Sequence, residues 1–141
     1  MHGYGAARIW AATLLAFGAL GLRSSESFGP PVTVTGGEAT IRIVRNASEQ
    51  CAKAFDPAHL TVKSGTTVVF ENGDWETHTV VSGSGDDPCS FVHDPDGARA
   101  IDLGQLYSGL GLRQKFTRPG SYPYMCHMPG HHMAGLITVL P

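Results

Sequence analysis

The feature of this sequence that most restricts its fold is a short stretch near the C-terminus in which metal-binding side chains are packed together. Eight positions carry one cysteine, three histidines and two methionines, namely Cys126, His127, Met128, His131, His132 and Met133. A thiolate with two imidazoles is a donor set that suits copper. Pro129 and Gly130 turn the chain, so a strand-end Cys126 and a loop His131 can meet at one ion. A third strong donor must come from elsewhere in the chain.

The best candidate for that third donor is His78, which follows a polar corner at residues 72–77 and opens the β-type run at 78–82. A strand that begins there would place His78 at one end of a sheet. His59 and His93 each lie in a polar segment that contains aspartate, and we interpret both as surface histidines.

Most of the chain after residue 30 consists of short β-type runs separated by glycine, proline and aspartate. The runs are at residues 38–46, 59–63, 66–72, 78–82, 112–117, 121–126 and 136–140. In the first run Ile41 and Ile43 fall on one face, and no window after the leader has a convincing helical period. The pattern predicts an all-β, antiparallel sandwich or barrel. Residues 82–111, rich in Gly, Asp and Pro, are predicted to be a long loop excursion.

The N-terminus has the pattern of a targeting segment. Arg8 is followed by an unbroken apolar run at residues 9–22, and such a helix would span about 21 Å, short of a bilayer core of roughly 30 Å. We therefore divide the chain into a signal peptide or membrane anchor at residues 1–30 and one domain at 31–141. A cleaved signal peptide is favoured, and an uncleaved anchor is the alternative because Arg23 follows the run without a clear A-x-A site.

Export to an oxidising compartment would change the expected state of the cysteines. The chain has three, Cys51, Cys89 and Cys126. If Cys126 is a metal thiolate, the other two remain as an even pair, and we predict a disulfide between Cys51 and Cys89. Two separate buried thiols are the alternative.

Residues 116–126, the Cys-x-x-Pro-Gly-His spacing at 126–131 and the segment at 60–80 resemble cupredoxins, the small blue copper proteins. This resemblance covers most of residues 38–141. It implies a Greek-key β-sandwich and one type 1 copper ion held by His78, Cys126 and His131. The family usually carries an axial methionine in a Gly-Met pair, and here that pair is Gly135-Leu136. A leucine cannot coordinate, so the resemblance implies a three-coordinate site with a raised reduction potential.

Other side chains of the stretch have alternative roles. Met133, and less favourably Met128, could replace the missing axial ligand, although we favour a soft apolar rim for both. We expect His127 to be a surface or cross-strand residue without a catalytic role, and His132 to face solvent, a weak second copper donor being the minor alternative.

The same resemblance implies hydrogen-bonding supports for the site, and the predicted sandwich requires an aromatic core. Thr79 and Asn72 are expected to support the ligand loops. Four aromatic residues are predicted to lie in the core, namely Phe70, Phe116, Tyr122 and Tyr124.

These observations favour an exported electron carrier, periplasmic or extracellular, that cycles between Cu(II) and Cu(I). We expect a monomer with transient protein redox partners, and contact with a membrane only if the leader stays uncleaved. A formal net charge of -2 argues against nucleic acid as a partner. The alternative is a copper chaperone or buffer that uses the His- and Met-rich loop. An enzyme is not expected, because a single domain lacks the further histidine cluster of copper oxidases.

Overall fold

The structure, a computed structural model, describes residues 27–95 and 101–141. Within these residues, 3-10 helices lie at Ala47–Glu49 and Pro88–Ser90. The strands are β1 (Val32–Val34), β2 (Glu38–Ile43), β3 (Phe55–Asp56), β4 (His59–Lys63), β5 (Thr66–Asn72), β6 (His78–Ser84), β7 (Val92–His93), β8 (Asp102–Leu106), β9 (Gly111–Phe116), β10 (Gly120–Met125) and β11 (Ala134–Leu140). The apolar leader at 9–22 lies outside the described residues. In the part of the chain that is described, no helix is long and apolar enough to span a bilayer.

The strands form two sheets that pack as a sandwich. The first sheet has the order β1-β4-β11-β10-β6-β7, with β8 also paired to β6, and the second has the order β3-β2-β5-β9. The predicted all-β sandwich is confirmed, but both sheets are mixed, since β1 with β4, β4 with β11 and β2 with β5 run parallel. None of these parallel neighbours is consecutive along the chain. The alternation of apolar and polar residues within a strand predicts which face is buried, but it does not show whether the neighbouring strand runs parallel or antiparallel.

The core lies between the sheets and is centred on Tyr124. Its ring packs edge-to-face against Phe55 and Phe70, with centroid distances of 4.8 and 5.3 Å. Gly135 pairs with Tyr124 across β10 and β11, and a Cβ at that position would collide with the Tyr124 hydroxyl. The predicted core aromatics, Phe70, Phe116, Tyr122 and Tyr124, are all buried.

The prediction of a long loop excursion at residues 82–111 is partly wrong. This region contains β7 and β8, and β8 pairs antiparallel with β6, placing Leu106 opposite His78 and Gln105 opposite Thr79. In β8 only Leu106 is buried. The strand therefore lacks the apolar alternation by which a half-buried strand is identified from sequence.

The predicted Cys51–Cys89 disulfide is present. The Cys51 backbone N–H donates to the His132 carbonyl (2.8 Å), and the Cys51 carbonyl accepts from the Ala134 N–H (3.2 Å). On the other side of the bridge, the Cys89 carbonyl lies 3.0 Å from Nδ1 of His132. The disulfide thus fastens two distant segments to the loop between β10 and β11.

Replacing both Cys51 and Cys89 by serine should lower the free energy of unfolding by about 3–4 kcal/mol. The bridge spans a sequence separation of 38 residues, and a closed loop of that length restricts the unfolded chain by about this amount. Urea unfolding of the oxidised, metal-free protein measures the difference, and the same wild-type protein after full reduction is the control. An unchanged unfolding midpoint would contradict a stabilising bridge.

Candidate metal centre

Three potential metal ligands meet at one end of the sandwich, from β6, from the end of β10 and from the loop that follows. Cys126 Sγ lies 3.5 Å from His131 Nδ1 and 3.9 Å from His78 Nδ1, and the two Nδ1 atoms are 3.1 Å apart. Three ligands at about 2.0–2.3 Å from one ion would be separated by roughly 3.3–4 Å. The triangle of donor atoms therefore has the size that one transition-metal ion requires.

His78 is the first residue of β6 and is fully buried. Its Nε2–H donates to Oδ2 of Asp74 over 2.8 Å, which leaves Nδ1 directed toward Cys126 and His131. Burial alone lowers the pKa of His78, but its contacts with Cys126 and Asp74 outweigh burial and raise that pKa. A carboxylate on the distal nitrogen fixes the ring orientation and tautomer of a metal-binding histidine.

Asp74 was missed by the sequence analysis, although it is central to the site. Its carboxylate accepts backbone N–H bonds from Asn46 (2.9 Å), Trp75 (2.8 Å) and Ala47 (3.3 Å). Burial raises the pKa of Asp74, but the bonds from His78 and these N–H groups more than offset it and hold the pKa below its usual value. The side chain is therefore a buried anion whose charge is neutralised by donors.

Asn72 supports this corner, as the sequence analysis expected. Its Oδ1 accepts from the Asp74 N–H (2.9 Å), and its Nδ2 donates to the carbonyls of Glu76 (2.8 Å) and Leu106 (2.9 Å). The amide thus closes the turn between β5 and β6 and joins it to the end of β8. This closure holds the residues that precede His78.

Cys126 is the one described cysteine outside the disulfide, and it is buried. Thr79 approaches Sγ twice, with its N–H at 3.4 Å and its hydroxyl at 3.7 Å, and the same hydroxyl accepts the His127 N–H at 2.7 Å. Burial raises the pKa of the Cys126 thiol, but bonds from His78, Thr79 and the Met128 backbone outweigh burial and lower it. The site therefore favours the thiolate, the form that binds metals.

His131 lies in the loop between β10 and β11 and is half-buried. Its N–H donates to the Met128 carbonyl (3.0 Å), and Gly130 takes a φ of +77°, a left-handed conformation that closes this turn. Burial and the neighbouring His78 lower the pKa of His131. A neutral imidazole is the form that binds metals.

Met133 and Leu136 lie on opposite faces of the chain segment that enters β11. Met133 is 1% exposed and belongs to the same buried cluster as Cys126. Leu136 instead packs with Phe28 and Ala134 in a separate cluster. The residue that family spacing assigns to the axial position thus points away from the core, and the inward thioether is that of Met133.

The other histidines within residues 27–95 and 101–141 occupy three different settings. His59 is buried rather than exposed, so its interpretation as a surface residue was wrong. It starts β4 beside β11, with Nε2 3.0 Å from Oγ1 of Thr138, and burial lowers its pKa. His132 is exposed, as predicted. His93 is half-buried, and its ring contacts that of the exposed His127 in a tilted arrangement with centroids 4.1 Å apart.

A β-sandwich with one thiolate and two imidazoles at its end defines a class of small copper-binding proteins. Residues 43–140 match the family of copper binding proteins described as plastocyanin/azurin, and the chain belongs to this family. The resemblance inferred from the sequence is confirmed. The predicted cofactor, copper in a type 1 centre, is confirmed by the family and by the His-Cys-His group.

Individual relatives agree with this membership. The chain is 30% identical over 120 residues to the copper-resistant cuproprotein CopI of Rubrivivax gelatinosus, which is 78% of this chain and 70% of that protein. It is similar to a purple cupredoxin from Nitrosopumilus maritimus, with a TM-score of 0.57 and 24% identity, over 72% of this chain and 99% of that one.

A third similarity is to the copper-containing nitrite reductase NirK of Thermus scotoductus SA-01, with a TM-score of 0.59 and 23% identity. It covers 83% of this chain but 29% of that enzyme's chain. At this identity the two solved structures establish the fold alone.

Replacing Asp74 by asparagine should weaken Cu(II) binding by roughly 10- to 100-fold, the usual effect of losing a partner that orients a ligand. The amide keeps an oxygen near Nε2 of His78 but removes the negative charge that stabilises the more positive ion. Competition titration against a copper chelator measures the affinity. Glu76→Gln removes the same charge from an exposed side chain of the same loop and is the matched control. Equal effects of the two changes would show that only general charge matters.

Proposed function

We propose that His78, Cys126 and His131 hold one copper ion and that this protein carries single electrons between larger redox partners. The observation that carries the proposal is that one thiol sulfur and two imidazole nitrogens lie within 4.8 Å of one another. Bound there, copper supplies a one-electron couple between Cu(II) and Cu(I). Donors held in place by neighbours need little rearrangement when the charge of the ion changes.

Each residue of the centre has a distinct task in this proposal. Asp74 orients His78 through the 2.8 Å bond to Nε2. Thr79 holds the Cys126 sulfur through its N–H and limits its movement. His131 lies beside exposed Pro129 and Gly130, so its outer edge is the place where electrons enter and leave. A small exposed contact of this kind suits a partner that must dissociate quickly.

We further propose that the protein works outside the cytoplasm as a monomer. The Cys51–Cys89 disulfide supports an oxidising compartment, in agreement with the leader predicted at residues 1–30. The net charge of -2 gives no support for a nucleic-acid partner.

Copper capture or buffering is the second candidate function, and two observations favour it. The relative CopI is a copper-resistant cuproprotein, and the loop that carries His131 also contains Met128, His127 and His132. An electron carrier should keep its copper through repeated cycles of reduction and oxidation. A protein that delivers copper should transfer Cu(I) to an acceptor within the time that such cycles take.

An enzymatic function is the least supported. The similarity to NirK, at 23% identity, establishes a shared fold and no activity. Within residues 27–95 and 101–141, both groups of three or more potential metal ligands include His78, and we propose that this protein is not itself an enzyme. Nitrite reduction by the purified protein would contradict this proposal.

Cys126→Ser should abolish the intense visible absorption of the copper-loaded protein, because that band requires the thiolate–copper bond. Visible and EPR spectra after addition of one equivalent of Cu(II), followed by reduction and reoxidation, measure the change. His132→Gln alters an exposed side chain of the same loop and should keep the colour. Retention of the band in Cys126→Ser would remove Cys126 from the centre.

We propose that the Met133 thioether would serve as a fourth, weak ligand of copper, because the Met133 carbonyl accepts the Cys126 N–H (3.1 Å) and its side chain lies in the same buried cluster, whereas Leu136 lies in a separate one. Met133→Leu, a substitution that nearly conserves volume, should raise the reduction potential since a thioether that stabilises Cu(II) is lost. Leu136→Met should leave the potential unchanged because its side chain points away. If instead Leu136→Met lowered the reduction potential and Met133→Leu did not raise it, the three-coordinate site inferred from the family spacing, with Leu136 as the non-coordinating residue, would be favoured. Spectroelectrochemical titration measures both.

A further inference from the structure

A pair of histidine side chains lies on the outer surface of the first sheet. The imidazole rings of His93 and His127 are in contact, with centroids 4.1 Å apart and their planes tilted by 38°. His127 is exposed and His93 is half-buried, so solvent reaches the pair. Neither residue belongs to the group formed by His78, Cys126 and His131.

The fold holds the backbones of both histidines. His93 ends β7 opposite Gly83 of β6, and the following Asp94 donates its N–H to the Ser82 carbonyl (3.0 Å). On the other side of β6, the His127 N–H donates to the Thr79 hydroxyl (2.7 Å). The two side chains are therefore brought together by anchored strands on either side of β6.

Alternation explains why His127 faces outward. Cys126 is fully buried in the core, and successive residues of an extended chain point to opposite faces. Gly83 has no side chain, and Met125 occupies the space where one would lie, since a Cβ at Gly83 would be 2.5 Å from Sδ of Met125. Met125 thus covers β6 beside the histidine pair.

We propose that His93 and His127 form a second metal site that takes one divalent late-transition ion, Cu(II) in preference to Zn(II). Two imidazoles on anchored backbones can offer one nitrogen each to the same ion, and imidazole binds Cu(II) more strongly than Zn(II). In residues 27–95 and 101–141, no group of three or more donors includes this pair. Water completes the coordination, so the ion exchanges more easily than one held by the buried thiolate.

This second site does not depend on the proposed electron-transfer function. At this site an exchangeable Cu(II) ion would be bound in part by His127, the residue that follows Cys126 in the chain. A protein with both sites binds two ions of different character, one held by a thiolate and one by imidazoles and water.

The test is a Cu(II) titration of the full chain followed by EPR. The first equivalent should fill the thiolate site and develop the intense visible band, and the second should give a separate signal with ordinary hyperfine splitting and nitrogen coupling. His93→Gln should weaken binding of the second ion by about tenfold or more, because even an orienting partner of a ligand is worth roughly that much. It should leave the visible band unchanged.

His127→Gln should have the same effect on the second ion, and His132→Gln is the matched control because that histidine also neighbours a proposed copper ligand. Second-ion affinity that is unchanged in both His93→Gln and His127→Gln, or no second ion in the wild type, would overturn the site. If the wild-type protein gave the second EPR signal but no intense visible band, the proposed function would be contradicted and the second site would still be supported.

Discussion

The interaction on which the candidate centre depends is the stabilisation of a buried thiolate at Cys126. A buried anion is costly unless neighbouring groups donate hydrogen bonds or carry opposite charge. Thr79 supplies an N–H to the sulfur, and His78 lies between that sulfur and the Asp74 carboxylate. The imidazole therefore serves two anions, one on each ring nitrogen. Despite burial, these two contacts raise the pKa of His78, and a copper ion bound at Nδ1 would likewise bring positive charge next to the sulfur.

The rigidity of the centre comes from segments that are distant in sequence. The backbone N–H groups of Asn46 and Ala47 bind the carboxylate of Asp74. A few residues later in the same segment, Cys51 pairs with the chain around Met133, and its disulfide brings Cys89 to the same loop. One connection between β2 and β3 thus supports both ligand loops. A site held from both sides in this way is positioned before any ion binds.

The sequence predicted much of this arrangement because local patterns determine much of it. The Pro-Gly turn between Cys126 and His131 identified the loop, and the polar corner before His78 identified the start of a strand. Asp74 could not be identified, since two of the N–H groups that stabilise its buried carboxylate come from Asn46 and Ala47, which lie 28 and 27 residues earlier. The buried position of His59 was missed for a similar reason, because His59 is shielded from solvent only when β4 pairs with β11. Tertiary pairing, which a single sequence does not encode in any short window, decided both.

The direction in which each side chain of residues 126–136 points depends on where β10 ends and β11 begins. β10 ends at Met125 and β11 begins at Ala134, and a shift of one residue in a strand exchanges its inner and outer faces. The observed register turns Met133 toward the core that contains Cys126, and it turns Leu136 toward the separate buried cluster with Phe28 and Ala134. The same alternation buries Cys126 and exposes His127. The stretch therefore presents a cysteine sulfur and a thioether to the interior and an imidazole to solvent, which is why one short segment can supply ligands to both proposed sites.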